Sequence, residues 1–287
     1  MKSRKLNTIM IWFAAGLLIA LAAGVEVNAA DFPQGLVLHF NFDQMEGSMV
    51  TDRTGHGNGR VFGAKWNAVG KQGGACEFAK TNSYILVTNA PFLNPTQATF
   101  AVWFRTAKPD PLDRFILDKR MDNGFALCIA GDSKDNGGNT RGKLCFVVSN
   151  NFCLGDGAVT DGAWHHGAAT YDGENLKLYV DGKLQKQVVT WRGSIPANTN
   201  DLAIGLNRSN PTPQEKGQSF QDAIDDLMIF NHALSEAEIQ TVIASVKPKF
   251  TKQQVAQRLK ELKELYDRGL LTKEFYDRKV KECEVVP

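Results

Sequence analysis

The segment from Trp164 to Leu184, WHHGAATYDGENLKLYVDGKL, constrains the fold of this chain more tightly than any other stretch. It carries two Asp-Gly pairs, Asp172-Gly173 and Asp181-Gly182, which accept the positive φ values of tight hairpin turns at low steric cost. Between them Leu176, Leu178 and Val180 alternate with Lys177 and Tyr179, so one face of the strand is apolar and the other suits water. The segment predicts a three-stranded antiparallel meander.

The same kind of pattern recurs through the body of the chain. Leu36, Leu38, Phe40 and Phe42 alternate with Val37, His39, Asn41 and Asp43 and predict a first strand with an aromatic inner face. Short strand-like runs follow at 75–78, 84–87, 99–106, 115–118, 125–129, 144–148 and 223–230, separated by Gly, Asn and Asp. Helical periodicity is almost absent before Leu234. Many short strands with turn residues between them predict a mainly β, jelly-roll sandwich of two antiparallel sheets.

The two ends of the chain differ from this body. Lys2, Arg4 and Lys5 precede an apolar run from Ile9 to Val25 and then Val27-Asn28-Ala29, small residues suited to signal peptidase, so residues 1–29 read as a cleaved secretory signal. An uncleaved signal anchor is the alternative, since the run borders on bilayer length. No later segment is apolar enough to span a membrane. At the other end, Ser235 with Glu238 forms a capping box that opens a helix through about Ser245, and Lys247-Pro-Lys249 reads as a linker within 246–251. Residues 252–283 then switch to helical periodicity, with Val255, Leu259, Leu262 and Tyr266 on one face, Gly269 as a stop and Thr272 as the next cap. Two helices this short need a partner to be stable.

The net charge of +2 makes no demand for nucleic acid. Lys and Arg outnumber Asp and Glu after residue 246, and the balance is reversed between Ala30 and Val246. In an exported chain, five cysteines permit disulfides. Cys128, Cys145 and Cys153 are close enough in sequence to face one another across neighbouring strands, and a Cys128–Cys145 bridge is the expectation; five small buried thiols is the alternative.

The body, residues 35–245, resembles the laminin-G-like, concanavalin A-like lectin/glucanase jelly-roll family. The stretches that carry the resemblance are Leu38-His-Phe-Asn-Phe-Asp43, Thr51-Asp-Arg-Thr-Gly-His-Gly-Asn58, Gly73-Gly-Ala-Cys-Glu-Phe78, Ala98-Thr-Phe-Ala-Val-Trp103, Trp164-His-His166, Tyr179-Val-Asp-Gly182 and Ile224 to Ile239. The tail, residues 252–283, resembles the short SHOCT domain through Leu259-Lys-Glu-Leu-Lys-Glu-Leu-Tyr-Asp-Arg-Gly-Leu-Leu-Thr-Lys-Glu-Phe275. That resemblance implies a homo-oligomer formed through the tail.

Several constellations invite chemistry. His165 and His166 are neighbours on a strand and point to opposite faces, so they cannot jointly hold one ion; Trp164 is expected in the core and one His at the surface. Ile224-Asp225-Asp226-Leu227 lies where laminarinase-like enzymes of this architecture carry catalytic acids, but retaining hydrolysis needs carboxyls on one side of the strand, and the flanking residues are Ala223, Leu227 and Met228. No nucleophile elbow, phosphate loop or HExxH motif is present. The 131–142 loop is no EF-hand, because Lys134 and Lys143 stand where ligands belong. Asp52 and Asn58 offer hard oxygen donors after the first strand, and pairing of the first and last strands brings Asp225 or Asp226 toward them, so calcium is the expected ion. The alternative is that these residues only shape turns. Sugar contacts are sought around Trp66, Phe115, Trp191 and the 131–142 and 207–218 loops, with Trp66 and Trp191 expected in the core.

These readings predict an exported bacterial protein, secreted, periplasmic or at the cell surface. It is expected to be a non-catalytic module that binds a glycan or an extracytoplasmic protein. A structural protein of the envelope, and a glycoside hydrolase or lyase with an unrecognised site, are the alternatives.

Overall fold

The computed structural model describes residues 32–79, 83–107, 109–120, 123–132, 139–207, 218–246 and 252–283. The expected leader, most of the linker and most of the 207–218 loop lie outside the described residues.

Among the described residues sixteen strands form two antiparallel sheets. Sheet I contains β1 (Leu36–Phe40), β4 (Lys65–Asn67), β5 (Ala75–Phe78), β7 (Ala98–Arg105), β12 (Trp164–Tyr171), β13 (Asn175–Val180), β14 (Lys183–Thr190) and β16 (Asp222–Phe230). Sheet II contains β2 (Met49–Val50), β3 (Gly59–Phe62), β6 (Tyr84–Val87), β8 (Arg114–Asp118), β9 (Phe125–Ile129), β10 (Lys143–Val148), β11 (Asn151–Ala158) and β15 (Leu202–Ile204). In sheet I the order is β14-β13-β12-β7-β16-β5-β4 with β1 also on β16, and in sheet II it is β11-β10-β9-β8-β15-β6-β3-β2. The result is a jelly-roll sandwich.

The predicted meander is β12-β13-β14. Its turns hold Gly173 at φ 93°, Asp181 at φ 51° and Gly182 at φ 75°, and Leu176 and Leu178 are fully buried in the core between the sheets. That core is built from alternate residues of both sheets. Phe100 of β7 stacks on Phe125 of β9 at 4.4 Å and meets Phe146 of β10 at 5.7 Å, so its ring ties the layers together.

Strand β16 joins distant parts of the chain. Its C-terminal half pairs with β1, Leu36 opposite Phe230 and Phe40 opposite Leu227, and its N-terminal half pairs with β5, Ile224 opposite Cys76. The changeover falls at Asp225 and Asp226, where the register against β7 slips and Asp226 takes φ 44°.

The outer faces of the sheets differ. On sheet I, Ala101, Trp103, Ala168, Tyr179, Met228 and Phe230 lie under Leu234 and the helix α1 (Glu236–Ser245) that follows it, which seats Ile239 and Val242 on them. Ser235 and Glu238 close the predicted capping box at its start. No described helix covers sheet II. The tail forms α2 (Lys252–Asp267) and α3 (Lys273–Glu282), packed on each other through Val255, Leu259, Leu262, Leu271, Tyr276, Val280 and Cys283, with Tyr266 and Tyr276 stacked at 4.7 Å.

Replacing Phe100 by Ala removes the ring that spans both sheets and is expected to lower unfolding free energy by about 3–5 kcal/mol. Val188→Ala, on exposed β14, is expected to stay within about 0.5 kcal/mol. Chemical denaturation of the two variants checks this.

Candidate functional site

On β9 large and small residues alternate. Phe125, Leu127 and Ile129 enter the core, while Ala126, Cys128 and Ala130 turn to the outer face of sheet II. On β10 Leu144, Phe146 and Val148 face inward and Cys145 and Val147 outward. The register aligns these outward residues into rows across the strands. One row runs Arg60, Leu86, Ala203, Asp118, Ala126, Val147 and Phe152; beside it Phe115, Cys128, Cys145 and Leu154 form another.

Small side chains at the middle of these rows, with bulky ones beside them, leave a hollow of 140 Å³ over β8 to β11. Its walls and floor are Asp113, Phe115, Arg120, Cys128, Ala130, Thr140, Cys145, Val147, Phe152 and Leu154. A cavity of about 150 Å³ holds a benzene molecule, so this space suits one six-membered ring at a time. Phe152, 43% exposed, stands at its mouth.

The polar groups of the hollow are fixed. The Arg120 guanidinium lies 4.9 Å from the centre of the Phe115 ring and donates from Nε to Asp118 Oδ1 at 2.9 Å, while the Asp118 carboxylate is fully buried. Burial opposes the charge on Arg120, but the adjacent Asp118 outweighs it and raises the guanidinium above its usual value. Asp113 Oδ1 accepts the Gly131 N–H at 2.8 Å, and Thr140 Oγ1 donates to Gly131 O. The exposed aromatic surface is that of Phe152, since Phe115 is 3% exposed under Arg120, and an aromatic surface beside pre-oriented polar groups is what a sugar ring requires of a protein. Farther along the sheet Phe62 and Tyr84 stack at 4.7 Å, and Arg60 lies over Phe62.

Of the residues expected to meet a ligand, Phe115 and part of the 131–142 loop lie at this hollow. Trp191 packs on the core, with Tyr171 at 5.4 Å, as expected. Trp66 departs from expectation: it is 45% exposed, because β4 is the edge strand of sheet I, and its Nε1 donates to Phe42 O. Arg120, Phe152 and the Phe62–Tyr84 pair were not singled out from the sequence. The alternation of large and small residues in Phe-Ala-Leu-Cys-Ile-Ala was the available signal.

The expected calcium donors are engaged otherwise. Asp52 accepts from His39 N, Thr54 N, Thr54 Oγ1, His56 N and Gly57 N, and Asn58 Oδ1 accepts from Asp52 N. Five donors already balance the Asp52 carboxylate. Asp225 accepts from Gln72 N and Asp226 N, and Asp226 Oδ1 lies 3.0 Å from His39 Nε2. Among the described residues no three His, Cys, Asp or Glu side chains converge as a metal site. Burial, then the charge of Asp226, raises Asp225 well above the carboxylate range; burial, then Asp43, does the same to Asp226. Burial likewise lowers His39 to about 4. At the break in β16 the Asp225 carboxylate thus fills two backbone donors, while Asp226 pairs with His39.

His165 and His166 take opposite faces, as their adjacency requires. His165 lies at the rim between Asp161 and Asp181. His166 is 1% exposed beside Trp103 on the outer face of sheet I, and Trp164, expected in the core, is only partly buried against that same cluster. Burial lowers His166 to about 3. The unfolded chain therefore binds this proton more tightly, and the stability contributed by neutral His166 is present above pH 6.5 and lost as pH falls toward 3. The stability difference between the natural protein and His166→Gln is expected to shrink by on the order of 3 kcal/mol between pH 7 and pH 4. Denaturation curves at several pH values measure it, and a constant difference contradicts the assignment.

No curated protein sequence matches the chain. Among solved structures it is similar to domain 4 of AbnA, a GH43 extracellular arabinanase from Geobacillus stearothermophilus solved with arabinotriose, at 21% identity and TM-score 0.55, covering 72% of this chain and 97% of that one. It is also similar to the binding domain of Paraclostridial Mosquitocidal Protein 1, at 15% identity and TM-score 0.55, covering 74% and 52%. The binding domain of Botulinum Neurotoxin DC in complex with SialylT matches at 15% identity and TM-score 0.55, covering 76% and 52%. The chain thus spans about half the length of these toxin domains, and the likeness is one of fold. The family model of the concanavalin A-like lectin/glucanases superfamily matches residues 79–240, more than half of the chain, and the protein belongs to that superfamily.

Proposed function

We propose that the protein is an exported, non-catalytic binding module whose hollow on sheet II takes one ring of an extracytoplasmic glycan. The observation that carries this reading is the Phe115–Arg120–Asp118 group at the edge of a ring-sized space on the sheet face that no described helix covers. The arabinotriose and SialylT complexes of proteins with this fold support a sugar as the ligand class. Binding without hydrolysis is supported by the burial of Asp225 and Asp226, 0% and 7% exposed on the other sheet.

A glycan array probed with the full chain, in calcium and in EDTA, tests the reading and the calcium expectation together. Reproducible binding is expected, weakened about tenfold by Phe152→Ala and by Arg120→Gln, which corresponds to about 1.4 kcal/mol each. Failure to bind any sugar, or binding indifferent to both substitutions, sinks it in favour of an envelope assembly role. Loss of binding in EDTA alone would establish calcium.

The tail supplies valency in this reading. Leu265 and Leu270 are 36% and 59% exposed on the α2–α3 hairpin, and a face of this kind joins copies of the chain. Linked weak sites gain avidity without new contacts. Light scattering is expected to show an oligomer that Leu265→Asp with Leu270→Asp dissociates, and a monomeric natural chain would remove the claim.

A further inference from the structure

Two thiols meet in the floor of the hollow. Cys128 of β9 and Cys145 of β10 are directly opposed and face the same side, 2% and 4% exposed, and both line the space that opens outward. They are free thiols here, directly opposed across the ladder. The remaining cysteines have no such access. Cys76 and Cys153 belong to the core between the sheets, and Cys283 sits in the helical hairpin. Cys153, although next to Cys145 in sequence order, points through the sheet to the opposite face.

The ladder fixes how far apart the opposed backbones are. Ala130 N donates to Lys143 O at 2.8 Å and Ser149 N to Gly124 O at 3.0 Å. Hydrogen-bonded positions alternate along an antiparallel pair, so 124, 126, 128 and 130 all occupy them, and Cys128/Cys145 is a hydrogen-bonded pair with Cα atoms about 5.5 Å apart. Disulfides span about 4.4–6.8 Å between Cα atoms. Opposed Cβ atoms of a hydrogen-bonded pair lie toward the upper end of about 4.5–5.5 Å, whereas a relaxed disulfide wants about 3.5–4.5 Å, so closing the bond draws the strands together and leaves a bridge that is easily reduced.

We propose that Cys128 and Cys145 are a redox-active thiol pair that closes to a cross-strand disulfide in the floor of the hollow when a small disulfide oxidant enters it. Cys145, the more exposed of the two at 4% against 2%, is the attacking sulfur. Its thiolate bonds to one sulfur of glutathione disulfide, whose S–S bond breaks and releases one glutathione thiolate. The Cys128 thiolate then attacks Cys145 Sγ, breaks that mixed disulfide and expels the second glutathione. The two protons lost by the cysteines end on the two glutathiones, so one disulfide is reduced as one is made. Interaction with Cys145, and then burial, hold the Cys128 thiol well above its ordinary pKa, so exchange is slow at neutral pH and speeds up as pH rises.

The test is peptide mapping of the native full chain after incubation with glutathione disulfide, acid quenching and alkylation of remaining thiols in denaturant. The expected product is one cross-linked pair of peptides joining Cys128 to Cys145, lighter by two hydrogens and reversed by dithiothreitol, with Cys76 and Cys153 alkylated. Cys145→Ser is expected to leave Cys128 uncrosslinked, or capped by a single glutathione. Recovery of both cysteines as alkylated thiols overturns the proposal, and so does a cross-link from either to Cys76, Cys153 or Cys283. The unsubstituted chain decides the matter even if a variant fails to fold. No sugar enters the measurement, so its result is separate from that of the binding experiment.

Discussion

Strand β16 is the constraint on which the rest of the sandwich depends. It pairs with β7 along one edge, while its other edge is divided between β1, from the start of the domain, and β5. A strand shared between two partners must break register where one leaves and the next arrives. Backbone donors there lose their ladder acceptors, and burying them unpaired would cost about 1–3 kcal/mol each. Asp225 accepts from Gln72 N and Asp226 N, and Asp43 accepts from Gly74 N. Asp225 and Asp43 thus supply the acceptors that the change of partner takes away.

This division also accounts for which features were legible beforehand. Local signals were reliable: the Asp-Gly turns, the alternation of Leu176, Leu178 and Val180, and Ser235 with Glu238 each specify their own geometry within a few residues. The hairpin between β10 and β11 was not anticipated, because its turn residues Ser149 and Asn150 take φ 45° and 62° without a glycine to announce it. With that turn hidden, β11 was missed, and β11 provides the Phe152 and Leu154 wall of the hollow. Trp66 was misplaced for a related reason. Its burial depends on β4 being an edge strand, which only long-range pairing decides. The site itself joins residues from Asp113 to Leu154 on four strands, and their convergence follows from register rather than from any motif.

The two sheets solve the covering of their outer faces differently. Sheet I uses α1 to cover Met228, Phe230 and Trp103, and covering a face with an amphipathic helix is how such sandwiches keep apolar surface from water. Sheet II meets the same requirement with small side chains, since Ala126, Ala130 and Ala203 expose little apolar area even without a covering helix. Around the hollow Phe152 is 43% exposed, whereas Phe115, 3% exposed, lies beneath the Arg120 guanidinium.

A wall of the hollow that frayed would lose binding energy to its own ordering. Strand β11 is the edge of sheet II, with no ladder on its outer side, and the edge of sheet I, β14, closes against it through side chains. Gln187 Oε1 accepts from Leu154 N at 2.7 Å, Gln185 Oε1 accepts from Asp156 N at 2.9 Å, and Asp156 Oδ1 accepts from Lys186 N at 3.1 Å. These bonds occupy donors that an open edge would present to another chain. They also hold Leu154 and its neighbour Phe152 against both sheets at once. The meander β12-β13-β14 therefore serves the site from a distance: its Asp-Gly turns set the position of β14, and β14 supplies the amides that keep the binding wall in place.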